Sequence, residues 1–378
     1  MAGRVMGRRG LPLLAVLAAL CGACSSRAAD ELDWKPEKTW VVVVGVLEWK
    51  ASDLYQSFPK EGRRDAELAE FFRTQGVPGE QVVFLKDKQA TRARIAKTLS
   101  ELLPKTQEND LLILYYAGHG TRVNGVTYFA NYDITAETAA SGWSVPSIFD
   151  AIEKDFKGSR VLLAADCCFS GALGVEAGKR KNKIAYAALT SVQPNCTSTG
   201  NWTFTECLLK GLRGDPSVDL NGDGQVLLSE LAQRTVDDMA FDEGQMAWFS
   251  TANGFDAKMK LAAAAKKDDA RIGDPIEIKW KDSWRHAHVL AVKDGKSLVH
   301  YVGQGNDDDE WVAPDRIRAY KPKEFPKGAL VEVEWEKKWW PAKVMDSRYG
   351  LHSIHYDGYG PEWDEWVGPQ RIRQAKSE

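Results

Sequence analysis

Between residues 273 and 375 the chain repeats itself at a constant offset. Trp280 recurs as Trp335, Trp284 as Trp339, Tyr301 as Tyr356, Trp311 as Trp366 and Arg316 as Arg371, each pair 55 positions apart. An ungapped repeat of this length means two copies of one small domain. Within each copy apolar and polar residues alternate. Val331, Val333 and Trp335 fall on one face and Glu332 and Glu334 on the other, and Ile276, Ile278 and Trp280 follow the same pattern. That period belongs to half-buried strands. Short strands in units of this size predict two small all-β barrels, over residues 273–320 and 328–375.

The preceding region follows a different rule. Over residues 38–260, apolar strand-like runs alternate with helical patterns. Val41–Val46, Val82–Leu85, Leu111–Tyr116, Val161–Ala165 and Ile184–Leu189 read as strands. Continuous runs such as Val41–Val46 suit strands covered on both faces. Leu68, Phe71 and Phe72 share one helical face, and Thr91 is placed to cap a helix carrying Ile95, Leu99, Leu102 and Leu103. Asn124-Gly125 between Val123 and Val126 marks a tight hairpin. The expected fold is an α/β domain, a mostly parallel sheet flanked by helices, followed by the two barrels. Residues 261–272, small and charged, read as the linker.

Composition narrows the function. The net charge is −3, without the basic surplus of a nucleic-acid binder. At the N-terminus, Arg4, Arg8 and Arg9 precede the apolar run Leu11–Leu20, the pattern of an export signal over residues 1–29. Cys24 in Cys21-Gly-Ala-Cys24 is a candidate for lipidation, with ordinary cleavage nearby as the alternative. The expected location is outside the bacterial cytoplasm: periplasm, outer membrane through a lipid anchor, or medium. Four cysteines remain beyond that segment, Cys167, Cys168, Cys196 and Cys207, too few for a disulfide scaffold, with a Cys196–Cys207 bridge left open.

Two of the buried runs end in reactive residues. Leu111–Tyr116 leads into Ala117-Gly118-His119-Gly120, and Val161–Ala165 into Asp166-Cys167-Cys168-Phe169-Ser170-Gly171. In open α/β sheets, sites form beyond the carboxyl ends of strands. Cysteine supplies a nucleophile and histidine a proton donor for a leaving amine, the minimum for peptide hydrolysis.

These motifs resemble caspase-like peptidases, and metacaspases more than animal caspases. The Asp-Ser-Cys-His-Ser-Gly of metacaspases corresponds to Asp166–Gly171, aligning Cys168 with the nucleophile and leaving Cys167 to pack beneath the sheet. Gly118-His119-Gly120, Asp65-Ala66 and Ala90-Thr91 also fit, and the resemblance spans about residues 38–260. It implies a cysteine endopeptidase with His119 and Cys168 as the dyad and the amides of Gly120 and Cys168 as the oxyanion hole. It places Asp166 in the pocket for the residue before the cut, favouring Arg or Lys. Phe169 replaces a polar residue of the family, and no second acidic pocket residue stands after Ser191. The basic run Lys179–Lys183 is either a site of self-cleavage or a solvated charge run. The competing reading of the whole chain is an inactive caspase-like scaffold that acts through its barrels.

Asp219-Leu-Asn221-Gly-Asp223-Gly224-Gln225 through Glu230 matches a calcium loop at each defining position. Asp219, Asn221, Asp223 and Glu230 offer side-chain oxygens and Gln225 its carbonyl, so calcium is the one cofactor expected. The barrels resemble the Tudor, agenet and chromo-barrel group of SH3-like domains, which implies peptide or protein binding. Trp339, Trp340, Tyr359 and Trp363 are the candidate ligand-binding aromatics. The recurring Trp280, Trp311, Trp335 and Trp366 are assigned to the barrel cores.

Overall fold

A computed structural model of the protein describes residues 34–360 and 363–375. The export signal expected at residues 1–29, with Cys24, lies outside the described residues. Among those described, no helix is long and apolar enough to cross a membrane.

The strands of the first domain are β1 (Thr39–Gly45), β2 (Val82–Lys86), β3 (Leu111–Ala117), β4 (Gly120–Val123), β5 (Val126–Phe129), β6 (Trp143–Ser144), β7 (Arg160–Asp166), β8 (Ala185–Thr190), β9 (Gln225–Leu227), β10 (Trp248–Ala252) and β11 (Lys260–Ala263). Six of them form one sheet in the order β10-β8-β7-β3-β1-β2. Its pairs are parallel except for β10 against β8. The longer helices are α1 (Arg64–Thr74), α2 (Arg92–Leu102), α3 (Val145–Asp155), α4 (Ala172–Lys179), α5 (Thr203–Leu212) and α6 (Leu228–Glu243).

Every residue of β1 is buried, and its side chains divide between two cores. Val41 and Val43 pack with Phe72 of α1, Phe204 of α5 and Leu231 of α6. Val42 and Val44 pack with Ile95 of α2, Phe149 of α3 and Leu173 of α4. A strand covered on both sides gains nothing from polar alternation, which is why its sequence is a plain run of valines. Thr91 accepts the Arg94 amide at 3.2 Å and caps α2. Asn124 (φ 51°) and Gly125 (φ 78°) turn the chain between β4 and β5, a left-handed pair suited to a two-residue hairpin.

The linker is shorter than composition suggests. Lys260–Ala263 is strand β11 and pairs antiparallel with β9, while the Ala264 and Ala265 amides donate to Gly224 and Gly214. The first residues assigned to a linker therefore close the α/β domain. Cys196 and Cys207 remain free thiols: Cys207 is buried on α5 with its sulfur 3.7 Å from Asp238 Oδ2, and Cys196 lies on a separate loop.

The repeat forms two five-stranded antiparallel sheets. The first contains β12 (Pro275–Trp280), β13 (Ser283–Lys293), β14 (Lys296–Tyr301), β15 (Glu310–Val312) and β16 (Ile317–Ala319). The second contains β17 (Leu330–Trp335), β18 (Lys338–Arg348), β19 (Leu351–Tyr356), β20 (Glu365–Val367) and β21 (Ile372–Gln374). Their strand orders, β15-β14-β13-β12-β16 and β20-β19-β18-β17-β21, are the same, as in SH3-like barrels. The second core is built from Val331, Val333, Ala342, Val344, Ile354 and Val367. Trp335 and Trp311 are 46% and 44% exposed, so these two do not form the cores assigned to them. Trp335 is the last residue of its strand, where alternation continues but the covering layer has ended.

Both barrels rest on α6. His286 stacks on Phe241 at 4.6 Å, and His288 Nε2 lies 2.6 Å from Asp242. Arg348 donates to Asp237 at 2.7 Å, and Arg234 donates to the Gly273 carbonyl at 2.6 Å.

Candidate active site

Strands β3 and β7 are neighbours, and Ala117 stands opposite Asp166 in their register. His119 and Cys168 each lie two residues further along. Matched register thus brings both to the same carboxyl edge of the parallel sheet. Gly120 presses against Cys168: a Cβ at position 120 would collide with the Cys168 carbonyl oxygen.

His119 is half-buried, and its Nε2 donates to the Gln56 carbonyl at 2.8 Å. A carbonyl only accepts, so Nε2 carries the proton and Nδ1 is the nitrogen left to exchange one. Trp49, Phe58 and Tyr55 hold the imidazole, with ring centroids 4.6, 4.5 and 5.5 Å away. Burial pushes the imidazole below its ordinary pKa, and the Gln56 carbonyl opposes it.

The adjacent cysteines differ in setting. Cys167 is 2% exposed, and burial pushes its thiol well above the ordinary range, so it stays protonated. Cys168 is half-exposed, and the Ser198 amide donates to its sulfur at 3.2 Å. Phe169 has φ 60°, a left-handed conformation costly for an aromatic residue, and its amide donates to the Cys196 carbonyl at 2.8 Å. This fixes the turn carrying Cys168 to the loop Gln193–Thr199.

Asp166 is buried and accepts from Thr205 Oγ1 at 2.9 Å. Burial pushes its carboxyl up to about 7, with Thr205 and Ser191 opposing and the Glu243 charge adding. Glu243 is a residue that sequence reasoning missed. It ends α6, its carboxylate bonded to Asn201 at 2.9 Å and to Thr203, and it brings a second carboxylate near Asp166. No motif marks it, because it reaches the site through tertiary packing alone.

The basic run is only partly solvated. Arg180 is clamped by Glu176 at 2.6 Å and Asp150 at 2.7 Å, while Lys181 and Lys183 are exposed.

In the calcium-type loop, Gly222 and Gly224 take φ 76° and 82°. Asp219 accepts the amides of Gly222 and Gly224 at 2.7 and 2.9 Å. Asp223 accepts the Gln225 amide at 2.9 Å, and Asn221 the Asp223 amide at 2.8 Å. Glu230 accepts the amides of Leu220 and Leu227 at 3.1 and 3.0 Å. The donor types fit calcium, which prefers oxygen. As arranged, the carboxylates serve the loop's own amides, and among the described residues no three His, Cys, Asp or Glu side chains converge as a metal site.

The four barrel aromatics separate. Tyr359 meets Trp340 and Trp363 nearly edge-on, each at 6.0 Å. Trp339 lies apart, under the Arg373 guanidinium at 3.9 Å. Trp340, Tyr359 and Trp363, with Trp335, wall a cleft of about 810 Å³ whose opposite side is Asn195–Thr199 and Glu243–Met246 of the α/β domain.

The caspase domain family model matches residues 60–262, more than half of the chain. The chain belongs to the caspase domain family. Metacaspase-7 of Arabidopsis thaliana is 31% identical to it over 132 residues, 32% of this chain and 30% of the relative. The match thus spans less than a third of the plant protein's length. Protein GSU0716 from Geobacter sulfurreducens shares 15% identity with a TM-score of 0.43, covering 60% of this chain and 99% of that one. The Arabidopsis thaliana AGDP1 AGD34 structure shares 22% identity with a TM-score of 0.14, covering 28% of this chain and 82% of that one.

Proposed function

We propose that this caspase-domain protein is a cysteine endopeptidase that cuts after Arg or Lys, with Cys168 as nucleophile and His119 as proton carrier. The observation that carries the reading is the contrast at the end of β7: Cys167 is buried and held as a thiol, while Cys168 is half-exposed at the same carboxyl edge of the sheet as a histidine oriented by Gln56. In this mechanism His119 Nδ1 takes the proton of the Cys168 thiol, and the resulting thiolate attacks the scissile carbonyl. The carbonyl π electrons move to oxygen, which the amides of Gly120 and Cys168 stabilise. The C–N bond then breaks as His119 passes a proton to the leaving amine, giving a thioester. Water, losing its proton to His119, hydrolyses the thioester and restores the free thiolate.

The basic preference rests on Asp166, supported by Glu243. A guanidinium or ammonium entering beside them favours the ionised carboxylate and offsets the burial that now opposes it. Calcium is proposed as a ligand of the loop Asp219–Glu230 on donor type alone, through Asp219, Asn221, Asp223, Glu230 and the Gln225 carbonyl. Export of the chain is likewise a proposal; recovery of full-length, uncleaved protein from the cytoplasm would overturn it.

The deciding assay uses protein lacking residues 1–29 and fluorogenic peptides ending in Arg, Lys or Asp. Hydrolysis of the Arg and Lys peptides that vanishes in Cys168→Ala supports the reading. No hydrolysis of any peptide leaves the protein as an inactive scaffold. Equal activity of wild type and Cys168→Ala moves the chemistry elsewhere.

A further inference from the structure

Gln245 lies between α6 and β10 and is buried. The turn that ends α6 places it: Gly244 takes φ 61°, and the Gln245 amide donates to the Met239 carbonyl at 3.1 Å. Its side chain engages the loop Gln193–Thr199. Oε1 accepts the Thr199 amide at 2.8 Å, while Nε2 donates to the Ser191 carbonyl at 2.7 Å and to Ser198 Oγ at 3.2 Å. Both amide hydrogens and the oxygen are thus used. The reverse orientation would set the oxygen against the Ser191 carbonyl and the NH2 against the Thr199 amide, so the hydrogen bonds fix one orientation. Ser198 is the residue whose backbone amide donates to the Cys168 sulfur at 3.2 Å.

We infer that Gln245 is a positioning residue for the nucleophile, holding the Ser198 amide against the Cys168 sulfur so that the thiolate is stabilised for attack. An N–H aimed at sulfur bonds an anion more strongly than a neutral thiol, so it favours the ionised form. The amide can do this only while its loop is held. The Phe169 amide ties the loop at the Cys196 carbonyl, before Ser198, and Gln245 ties it at the Thr199 amide, directly after. The two ties bracket the donating amide. A second path leads from Gln245 to the pocket. Ser198 Oγ and Ser191 Oγ are 3.0 Å apart, and the Ser191 hydroxyl bonds to Asp166. A carboxylate only accepts, so with Asp166 ionised the chain runs one way: Gln245 donates to Ser198, Ser198 to Ser191, and Ser191 to Asp166. One buried side-chain amide therefore serves both the loop at the nucleophile and the chain to the pocket.

The inference rests on the peptidase reading only in naming Cys168 the nucleophile, so its test needs no turnover. Alkylation of Cys168 by iodoacetamide is followed across pH in the full-length protein, with the modified residue located by mass spectrometry. The thiolate is the reacting form. In Gln245→Met, which keeps the length and removes the amide, the rate at pH 7 should fall roughly tenfold and rejoin the wild type at about pH 10. At pH 7, kcat for an Arg-ending peptide should fall by a similar factor, with KM within about threefold. Ser191→Ala cuts the chain to Asp166 and leaves the hold on Thr199, so its alkylation profile should follow the wild type. Ser198→Pro removes the donating N–H itself and should reproduce the Gln245→Met profile. It decides the matter if circular dichroism shows that Gln245→Met does not fold. A profile unchanged in the folded variants, a rate reduced equally at every pH, or the same shift in Ser191→Ala overturns the inference. Alkylation profiles that shift as stated, in a protein that hydrolyses no peptide, overturn the peptidase reading and leave Gln245 in its role.

Discussion

The Gln56 carbonyl accepts the Nε2 proton of His119 at 2.8 Å, and it does so through the backbone. The side chain at position 56 is therefore incidental, while the rings that hold the imidazole are not. Gln56→Ala should leave kcat within about twofold. Phe58→Ala, which removes a ring 4.5 Å from the imidazole, should lower kcat roughly tenfold to a hundredfold with little change in KM. Steady-state kinetics on an Arg-ending peptide checks both, and a large loss in Gln56→Ala would show that its side chain, not its carbonyl, is the working part.

The two cysteines should respond in opposite ways. Cys168→Ala removes the proposed nucleophile and should cost about a thousandfold or more in kcat. Cys167→Ala removes a buried sulfur and should cost about 1 kcal/mol of stability while keeping most of the activity. Kinetics paired with thermal melts separates the outcomes.

Asp166 sets a pH dependence. Its folded pKa is raised to about 7. From about pH 4 to 7 the unfolded chain loses this proton and the folded chain keeps it. Over that window the buried carboxyl therefore lowers stability as pH rises, and the loss is complete above it. Binding of a basic residue needs the ionised form, so kcat/KM for an Arg peptide should rise as pH climbs through about 7. Asp166→Asn should abolish that limb and lower kcat/KM; an unchanged profile would remove Asp166 from the specificity pocket.

Arg63 anchors the loop that reaches His119. Its guanidinium pairs with Asp65 and Asp87, each at 2.6 Å, and donates to the Gly45 carbonyl at the end of β1. All three side chains are buried, so Arg63→Met strands two carboxylates and should cost about 3–5 kcal/mol. A melting temperature lower by roughly 10 °C is the expected reading.

Calorimetry decides the metal. Heat saturating at one calcium per chain, absent in Asp219→Ala, supports the loop as a site. No heat at millimolar calcium removes it.

Much of the domain order could be read directly from residue patterns. Valine runs announce doubly covered strands, and a fixed offset of 55 admits no other organisation than two copies. His119 and Cys168 were legible because each follows such a strand. Gln56 and Glu243 were not: one acts through its backbone on an irregular loop, and the other arrives from the end of a helix distant in sequence. Trp335 was misread because alternation says which way a side chain points, not whether anything covers it. The short β11, Lys-Leu-Ala-Ala, carries too little pattern to be told from a linker.

Strand β11 also bears on how the caspase domain can be separated from its barrels. A protein cut at residue 259 would lose the partner of β9 and leave Gln225–Leu227 as an open edge, able to recruit strands from other molecules. The barrels can be removed cleanly only beyond Ala265, whose amide still closes onto Gly214. A shorter product, whether engineered or made by a protease, would be prone to self-association.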